Sequence, residues 1–157
     1  MIWDCHFDIQ IVMTALQILK QLKCEQIRKD HPGLPEAAIT PGKFSDSTAN
    51  GLTKCIVAFI TLSGGFATRV TTTGRMIPTG KTEVFAGKMK YIPGTTKRGT
   101  PDIMGVLNGK NLAIEVKIGK DKQSEAQKQV EADINASGGY YFIARDFESF
   151  YQWVNGL

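Results

Sequence analysis

The sequence predicts an α/β fold with a mixed central β-sheet flanked by helices. The first observation is Asn108-Gly109, which joins two runs of alternating apolar and polar residues. Asn-Gly between such runs is the strongest short-range signal of a β-hairpin, because its type I′ turn needs positive φ at both central residues. The other two are helical periodicity on both sides of this hairpin and a short apolar run at 140–144 that suits a buried strand. Such a mixture of helices and strands is typical of an α/β domain.

The first predicted element is one amphipathic helix over residues 3–29, in which apolar side chains recur at helical spacing. Pro32 ends it, because proline disfavours the helical conformation at the residue before it. Residues 32–45 hold three prolines and two glycines and are interpreted as a linker. The helix has too much apolar surface to remain in water, so we expect it to pack on the core or on a partner. The chain therefore divides into an N-terminal helix and linker, 1–46, and a domain over 47–157.

A second helix is predicted over 47–62, with Asp46 or Ser47 as its N-cap. A strand over 66–72 follows it. The apolar side chains that recur at helical spacing, and that we expect to be buried, are Leu52, Cys55, Ile56, Phe59 and Ile60.

The stretch 74–100 is rich in Gly, Lys and Thr. Within it a small hairpin is predicted that pairs Thr82–Phe85 with Lys88–Tyr91 around Ala86-Gly87. Tyr91, at the end of this hairpin, could either stack on a nucleic-acid base or pack into the core.

The C-terminal part completes the pattern. A helix is predicted over 124–137 and is closed by Gly138-Gly139 in the left-handed conformation. The strand at 140–144 and a last helix capped by Asp146 follow. The predicted order of elements is α-α-β-(ββ)-β-β-α-β-α.

The positive charge of the chain is concentrated ahead of the Asn-Gly hairpin. Segment 47–100 carries eight Lys and Arg residues against a single acid, Glu83, while residues 1–46 are close to neutral. A polyanion such as DNA would be attracted to this segment, with a strong dependence on salt. The alternative is an ordinary solvated surface.

The cysteines and the N-terminus indicate a cellular compartment. Cys5, Cys24 and Cys55 are odd in number and widely spaced, so they suggest free thiols in a reducing cytosol and no zinc site. The acidic N-terminus does not resemble a secretory signal, and no apolar run approaches the ~20 residues of a membrane span. We therefore expect an intracellular, cytoplasmic protein that does not associate with membranes.

The Asn-Gly turn also determines which residues face one another. With Asn108 and Gly109 as the two loop residues, Asp102 falls directly opposite Glu115, and Lys117 lies on the same face. Two carboxylates that oppose each other across a strand pair repel. A divalent cation between them, with the ammonium of Lys117 beside it, would account for the arrangement.

Mg²⁺ or Mn²⁺ held by carboxylates supplies both a lowered water pKa and Lewis-acid stabilisation for phosphodiester hydrolysis. Asp102 and Glu115 are therefore the expected metal ligands, and Lys117 would orient the attacking water or shield the phosphate. The competing interpretation makes Asp102 a turn residue and the other two a solvent-facing strand edge. A loop of three residues would reverse the parity and remove the site.

These residues carry a family resemblance. Gly99-Thr100-Pro101-Asp102 followed by Glu115-Val116-Lys117 resembles the core of the PD-(D/E)xK nucleases. Together with Ser124–Gln127 and Gly138–Ala144, the pattern more narrowly resembles the VRR-NUC family. Members of that family occur in phages and among DNA-repair nucleases, and some resemble Holliday-junction resolvases. The resemblance covers residues 47–154 and leaves 1–46 outside.

The resemblance implies a restriction-endonuclease-like αβββαβ core, with the N-terminal helix as an addition, and Mg²⁺ or Mn²⁺ as cofactor. It also implies that the carbonyl of Val116 completes the metal shell and that Gln127 lies in the active site. Gln127 has an ordinary explanation as well, since Ser124 and Gln127 match a capping box. Both interpretations of Gln127 remain open.

The sequence departs from the family pattern on the helix before the first core strand. Many relatives place a metal-binding glutamate there, whereas Asn50 occupies about that position here. Asn50 could bind a metal weakly, hold a water, or simply lie near the N-cap. Asp46 or Glu83 could compensate for the missing acid.

These observations predict a metal-dependent DNA endonuclease, which could be specific for branched or junction DNA and could be encoded by a phage. A two-fold homodimer would suit two coordinated cuts in a junction. One alternative is a catalytically weak or inactive DNA-binding module of nuclease fold. Another is a nuclease subunit that needs a helicase or recognition protein as partner. The expected DNA contacts are Arg69, Arg75, Lys81, Lys97 and Arg98.

Overall fold

The computed structural model describes residues 13–71, 74–78, 89–92, 94 and 97–157. It is a mixed α/β structure whose elements follow one another in the predicted order. The helices are α1 (Ala15–Asp30), α2 (Ala49–Leu62), α3 (Glu125–Ala136) and α4 (Phe147–Asn155), with a short 3₁₀ helix at Glu36–Ala38. The strands are β1 (Phe66–Arg69), β2 (Arg75–Pro78), β3 (Met89–Ile92), β4 (Ile103–Leu107), β5 (Lys110–Val116) and β6 (Tyr140–Ala144).

The central sheet has the strand order β1-β4-β5-β6 and is mixed, as predicted. β4 pairs antiparallel with both β1 and β5, whereas β6 runs parallel to β5. The parallel pairing requires a crossover, which α3 supplies between β5 and β6. The predicted mixed sheet flanked by helices is therefore confirmed.

Helices α1, α2 and α4 form the layer on one face of the sheet, and they share one hydrophobic core with it. The predicted buried positions of α2, from Leu52 to Ile60, are confirmed. Aromatic rings of α2 and α4 meet edge to face, with the centroids of Phe59 and Phe147 6.0 Å apart. The other face carries a smaller core, in which Val130 and Ile134 of α3 cover Ala113 and Tyr141.

The N-terminal helix begins later than the predicted 3–29, at Ala15. Thr14 has extended backbone angles and forms a capping box with Gln17, so a helix cannot pass through it unbroken. Residues 3–12 lie outside the described part of the chain. Ala15 and Leu19 are buried in the main core, which confirms that this helix packs on the domain.

Helix α2 also begins later than predicted, because Thr48 and neither Asp46 nor Ser47 is its N-cap. The Thr48 hydroxyl accepts a hydrogen bond from Gly51 N at 3.1 Å. Asp46 instead accepts one from Phe147 N at 3.0 Å and so satisfies the start of α4. The predicted N-cap of α4, Asp146, is confirmed by its bond from Ser149 N at 2.7 Å.

The 74–100 stretch contains two strands that pair with each other among the described residues. β3 pairs with β2, so that Met89 lies opposite Pro78. The predicted partner strand Thr82–Phe85 lies outside the described residues. The predicted pairing around Ala86-Gly87 therefore stays a prediction.

Two further features concern the length of the helices and the thiols. None of the helices in the described part of the chain is long and apolar enough to cross a membrane. Cys24 and Cys55 are free thiols, and Cys5 lies outside the described residues.

Candidate functional site

The β4–β5 hairpin has the predicted two-residue turn. Asn108 and Gly109 both have positive φ, 50° and 74°, as a type I′ turn requires. Ile103 pairs with Ile114 and Leu107 with Lys110, which is the predicted register. This register places Asp102, the residue before β4, beside the end of β5 that carries Glu115.

The two faces of this hairpin differ as the alternation predicts. Ile103, Ile114 and Val116 point into the core formed with α1, α2 and α4. Asp102, Glu115 and Lys117 belong by parity to the opposite face, where α3 covers β5 and β6. The three candidate residues therefore lie on one side of the sheet, at the end of β5.

Asp102 is held from two directions. Its Oδ2 accepts a hydrogen bond from Val116 N at 2.9 Å, and its backbone carbonyl accepts one from Val70 N at 2.7 Å. Lys117 N donates to Ala144 O on β6 at 2.9 Å, so the backbone groups of Val116 face the other way, towards Asp102. The Val116 carbonyl consequently opens at the same end of the sheet as the two carboxylates.

Glu115 is almost fully buried, with 3% of its surface exposed. Its Oε1 lies 3.1 Å from Lys117 Nζ and also accepts a hydrogen bond from Gln127 Nε2. Its Oε2 is buried and, among the described residues, has no hydrogen-bond partner. Such an atom normally pairs with a donor, a water or an ion, because an unpaired buried polar group is costly.

The groups around Glu115 shift its pKa in opposite directions. Burial, and then repulsion from Asp102, raise the pKa of Glu115 against the pull of Lys117. Burial by itself would lower the pKa of Lys117, but its ion pairs with Glu115 and with Asp121, at 3.4 Å, outweigh this and raise it. Lys117 thus keeps its proton, while Glu115 ionises less readily than an ordinary glutamate.

Gln127 serves both of the roles that the sequence left open. Its Oε1 accepts a hydrogen bond from Ser124 N at 2.9 Å, which completes the capping box of α3. Its Nε2 donates to Glu115 Oε1. One amide group therefore fixes both the start of α3 and the position of the buried carboxylate. The backbone N–H of Ser124 requires the amide oxygen, and the Glu115 carboxylate requires the amide nitrogen, so the orientation of the amide is determined.

The two roles of Gln127 can be separated by mutation. Ser124→Ala removes the hydroxyl that accepts from Gln127 N and leaves the Gln127–Glu115 contact in place, and we expect it to lower the free energy of unfolding by about 1 kcal/mol. Gln127→Ala should cost about 2 kcal/mol, because Glu115 also loses a buried hydrogen bond to a charged group. Urea denaturation of both variants measures the difference. Equal losses would contradict the structural role of the Gln127–Glu115 contact.

A cleft of about 590 Å³ opens beside the carboxylates. Its walls are the turn at 97–100, Asp102 and Glu115, and the first turn of α3 from Ser124 to Gln127. Gly99 allows the turn and the helix to approach, because it has φ +86° and a Cβ there would collide with the Ala126 carbonyl. The width of the cleft is thus set by a contact that only glycine permits.

Gly99→Ala should therefore disrupt the cleft wall. We expect a loss of about 2–3 kcal/mol in the free energy of unfolding, from the left-handed backbone and the clash with α3 together. Gly64→Ala is the matched control, since Gly64 has φ +84° and open space around its Cβ position. Urea denaturation of both variants tests this. If both substitutions cost the same, the close approach to α3 contributes nothing.

The predicted DNA-contact residues are distributed unevenly. Lys97 and Arg98 line the cleft, although Lys97 Nζ also lies 3.2 Å from Asp133 Oδ2. Arg69 pairs with Ile103 and so belongs to the face of the sheet opposite the carboxylates. Arg75 is the first residue of β2, and Lys81 lies outside the described residues.

The missing helix acid has no replacement in the described part of the chain. Asn50 is exposed in the first turn of α2 and is not among the cleft-lining residues. Asp46 is engaged by the start of α4, and Glu83 lies outside the described residues. Over 13–71, 74–78, 89–92, 94 and 97–157, no three His, Cys, Asp or Glu side chains group as a metal cluster.

Two residues near the site were not anticipated. Asp121 is the second partner of Lys117. Tyr141 pairs with Ala113 and thus shares the face of Glu115; burial, and then Glu115, raise its pKa to about 12. The parity argument would have identified Tyr141 if the parallel register of β5 and β6 could be predicted from sequence.

Comparison with known proteins adds no assignment. No protein-family model matches the chain, and no curated protein matches it significantly.

Proposed function

We propose that this protein is a metal-dependent DNA endonuclease with a PD-(D/E)xK core of the VRR-NUC type. The observation that carries the proposal is the buried Glu115, whose Oε2 has no hydrogen-bond partner among the described residues, beside a second carboxylate, Asp102. A structural ion pair with Lys117 explains Oε1 alone. A cation bound at Oε2 would explain both this buried oxygen and the nearby carboxylate of Asp102.

The residues fit a hard divalent cation. Mg²⁺ prefers oxygen ligands and retains several waters, so one or two carboxylates suffice where a zinc site would need more protein ligands. Asp102 Oδ1, Glu115 Oε2 and the Val116 carbonyl are the oxygens that would hold it. When bound, the cation supplies a lowered water pKa and charge stabilisation at phosphorus.

The side chains of the chain itself supply position and charge. Gln127 and Lys117 both hold Glu115 Oε1, which directs Oε2 away from them. The ammonium of Lys117 keeps its proton and can stabilise negative charge that develops on a phosphate oxygen. The exposed Arg98 and the turn that carries it supply the positive cleft wall that a DNA backbone requires.

The direct test is cleavage. The purified chain should cut flapped, branched or linear DNA in the presence of Mg²⁺ or Mn²⁺, and Asp102→Asn should abolish the activity. Asp30→Asn, at the exposed end of α1, is the control for the loss of one negative charge. If the chain binds DNA but never cuts it, the exposed Asn50 favours the second candidate, a DNA-binding module of nuclease fold.

A pH dependence follows from the raised pKa of Glu115. Without metal, folding favours the protonated carboxyl, so this contribution to stability is present below the ordinary pKa of 4.5 and lost as pH rises through the raised one. A metal binds the ionised carboxylate of Glu115, so the stabilisation of the folded protein by the metal grows as pH rises through this same range. The Mn²⁺-induced rise in Tm should thus increase with pH from about 4.5 upward. A pH-independent rise would exclude Glu115 as the ligand.

A further inference from the structure

Tyr141 carries a buried hydroxyl that the proposed reaction does not use. It is the second residue of β6, and with 8% of its surface exposed it lies in the smaller core against Val130 of α3. Its hydroxyl has no hydrogen-bond partner among the described residues, and the same is true of Glu115 Oε2. Because a buried polar group without a partner is costly, we expect a partner for each of these two atoms.

The two atoms belong to the same face of the sheet. In the parallel register Tyr141 lies opposite Ala113, which precedes Glu115 by two residues on β5. Residues two apart on a strand share a face, so both side chains project toward α3. Diagonal neighbours on adjacent strands are within reach of an aromatic side chain. Tyr141 is therefore a near neighbour of the buried carboxylate.

The surroundings of the phenol show which way its hydroxyl points. Burial, and then the carboxylate of Glu115, raise the pKa of Tyr141 to about 12. Gln123 acts in the opposite direction, as a neighbouring donor does, while Glu131 and Asp102 add smaller increases. Since Glu115 and Asp102 stand together at the end of β5, the hydroxyl points toward that end of the sheet.

Glu115 Oε2 is the acceptor that best matches this donor. The alternative acceptor, Glu131 on α3, is already engaged by Gln123 Nε2 at 2.7 Å. Oε1 of Glu115 is held by two donors, whereas Oε2 has no partner among the described residues. The hydroxyl and Oε2 do not form a direct hydrogen bond, but together they are the two polar partners that a buried water needs.

A cation alone does not satisfy both atoms. It would bind Oε2, but a cation accepts no hydrogen bond and so leaves the Tyr141 hydroxyl without an acceptor. A carboxylate oxygen has two acceptor positions, so one can bind a cation while the other accepts a hydrogen bond. The two interactions are therefore compatible at the same oxygen of Glu115.

We propose that Tyr141 is a positioning residue that acts through Glu115: its hydroxyl donates, through one buried water, to Glu115 Oε2. With Oε1 held by Lys117 and Gln127, this bond fixes the plane of the carboxylate beside the cleft. The role rests on the proposed nuclease function, in which Glu115 is a metal ligand. Loss of a group that orients a ligand carboxylate typically weakens metal binding by about 10- to 100-fold.

Mn²⁺ binding, measured by calorimetry, tests the role at the metal. Tyr141→Phe removes the hydroxyl and keeps the ring, so we expect the affinity to fall about tenfold. Tyr151→Phe is the matched control, because Tyr151 packs on Phe59 in the core on the other face of the sheet. It should bind Mn²⁺ as the wild type does. An equal loss in both variants, or no loss in Tyr141→Phe, would overturn the inference.

A mutant cycle without metal identifies the residue through which Tyr141 acts. Urea denaturation measures the effect of Tyr141→Phe in the wild type, in Glu115→Gln and in Glu131→Gln. We expect the loss of stability to shrink in Glu115→Gln, where an amide nitrogen replaces the acceptor, and to persist in Glu131→Gln. The same loss in all three backgrounds would show a purely structural tyrosine. A loss that shrinks only in Glu131→Gln would assign the hydroxyl to α3. Either result would overturn the inference.

The two proposals can fail separately. Coupling of Tyr141 to Glu115 in a protein that never cuts DNA would leave the positioning contact standing and refute the nuclease proposal. Cleavage that requires Asp102, in a protein where Tyr141 and Glu115 do not couple, would support the nuclease proposal and overturn this inference.

Discussion

Glu115→Gln is expected to reduce DNA cleavage by roughly a thousandfold, the order that loss of metal-ion catalysis implies. Glutamine keeps an oxygen that can accept the hydrogen bonds of Lys117 and Gln127, so the fold should persist. The negative charge is lost, however, and so is Oε2, the oxygen without a hydrogen-bond partner among the described residues; both are what a cation would bind. Mn²⁺ binding, measured by calorimetry, should become undetectable in the same variant.

The control for this substitution is Glu25→Gln. Glu25 is an exposed glutamate on α1 that accepts a hydrogen bond from Gln21, and its replacement changes the net charge equally. We expect full cleavage and Mn²⁺ binding from it. Full cleavage by Glu115→Gln as well would place the active site elsewhere in the protein.

Lys117→Ala is expected to affect stability as well as activity. Removal of one partner from a buried ion pair costs roughly 3–5 kcal/mol, because the remaining charge is left without compensation. Glu115 keeps its bond from Gln127 and can take up a proton, so we expect about 3 kcal/mol. Cleavage should fall by at least a hundredfold, the order found when one charge-stabilising donor is removed.

Lys128→Ala provides the comparison for an exposed pair. Lys128 Nζ lies 2.8 Å from Glu125 Oε1, closer than the buried pair, but both side chains are largely exposed. Such a pair contributes only about 0.5 kcal/mol. Urea denaturation should therefore rank Lys117→Ala far below Lys128→Ala in stability. Cleavage that survives Lys117→Ala unaltered would point to contamination or to another site.

The β4–β5 hairpin could be predicted in detail because its information is local. Asn108-Gly109 restricts the turn to two residues, and a turn of known length fixes every pairing that follows. Parity then places Asp102, Glu115 and Lys117 on one face without any knowledge of the rest of the fold. The same holds for α3 and α4, whose caps are encoded within four residues.

The predictions of helix starts were wrong where the local sequence pattern was compatible with more than one structure. Helical spacing over 3–29 concealed Thr14, which is both a plausible helix residue and the N-cap that starts α1. Asp46 is a good N-cap by type, yet a helix distant in sequence, α4, uses its carboxylate. The N-cap propensity of Asp46 cannot predict which helix start its carboxylate binds, because the start of α4 comes close to Asp46 only in the folded protein.

Gln127 shows most clearly which contacts can be predicted from sequence and which cannot. Its sequence context supports the capping box, and the resemblance supports the active site; the structure shows that one amide does both. The contact with Glu115 spans twelve residues and depends on how α3 crosses β5 and β6. No pattern within the α3 segment encodes that crossing.

The amino-acid sequence by itself determined the order of the elements, the register of the central hairpin and the shared face of two carboxylates and one lysine. These follow from turn geometry and the two-residue repeat of a strand, which act over neighbouring residues. Only the tertiary structure decided that Glu115 is buried with one oxygen that has no partner among the described residues, that Gly99 sets the cleft against α3, and that Arg69 faces away. Burial and close approach depend on residues far apart in the chain, so they arise only when the core packs.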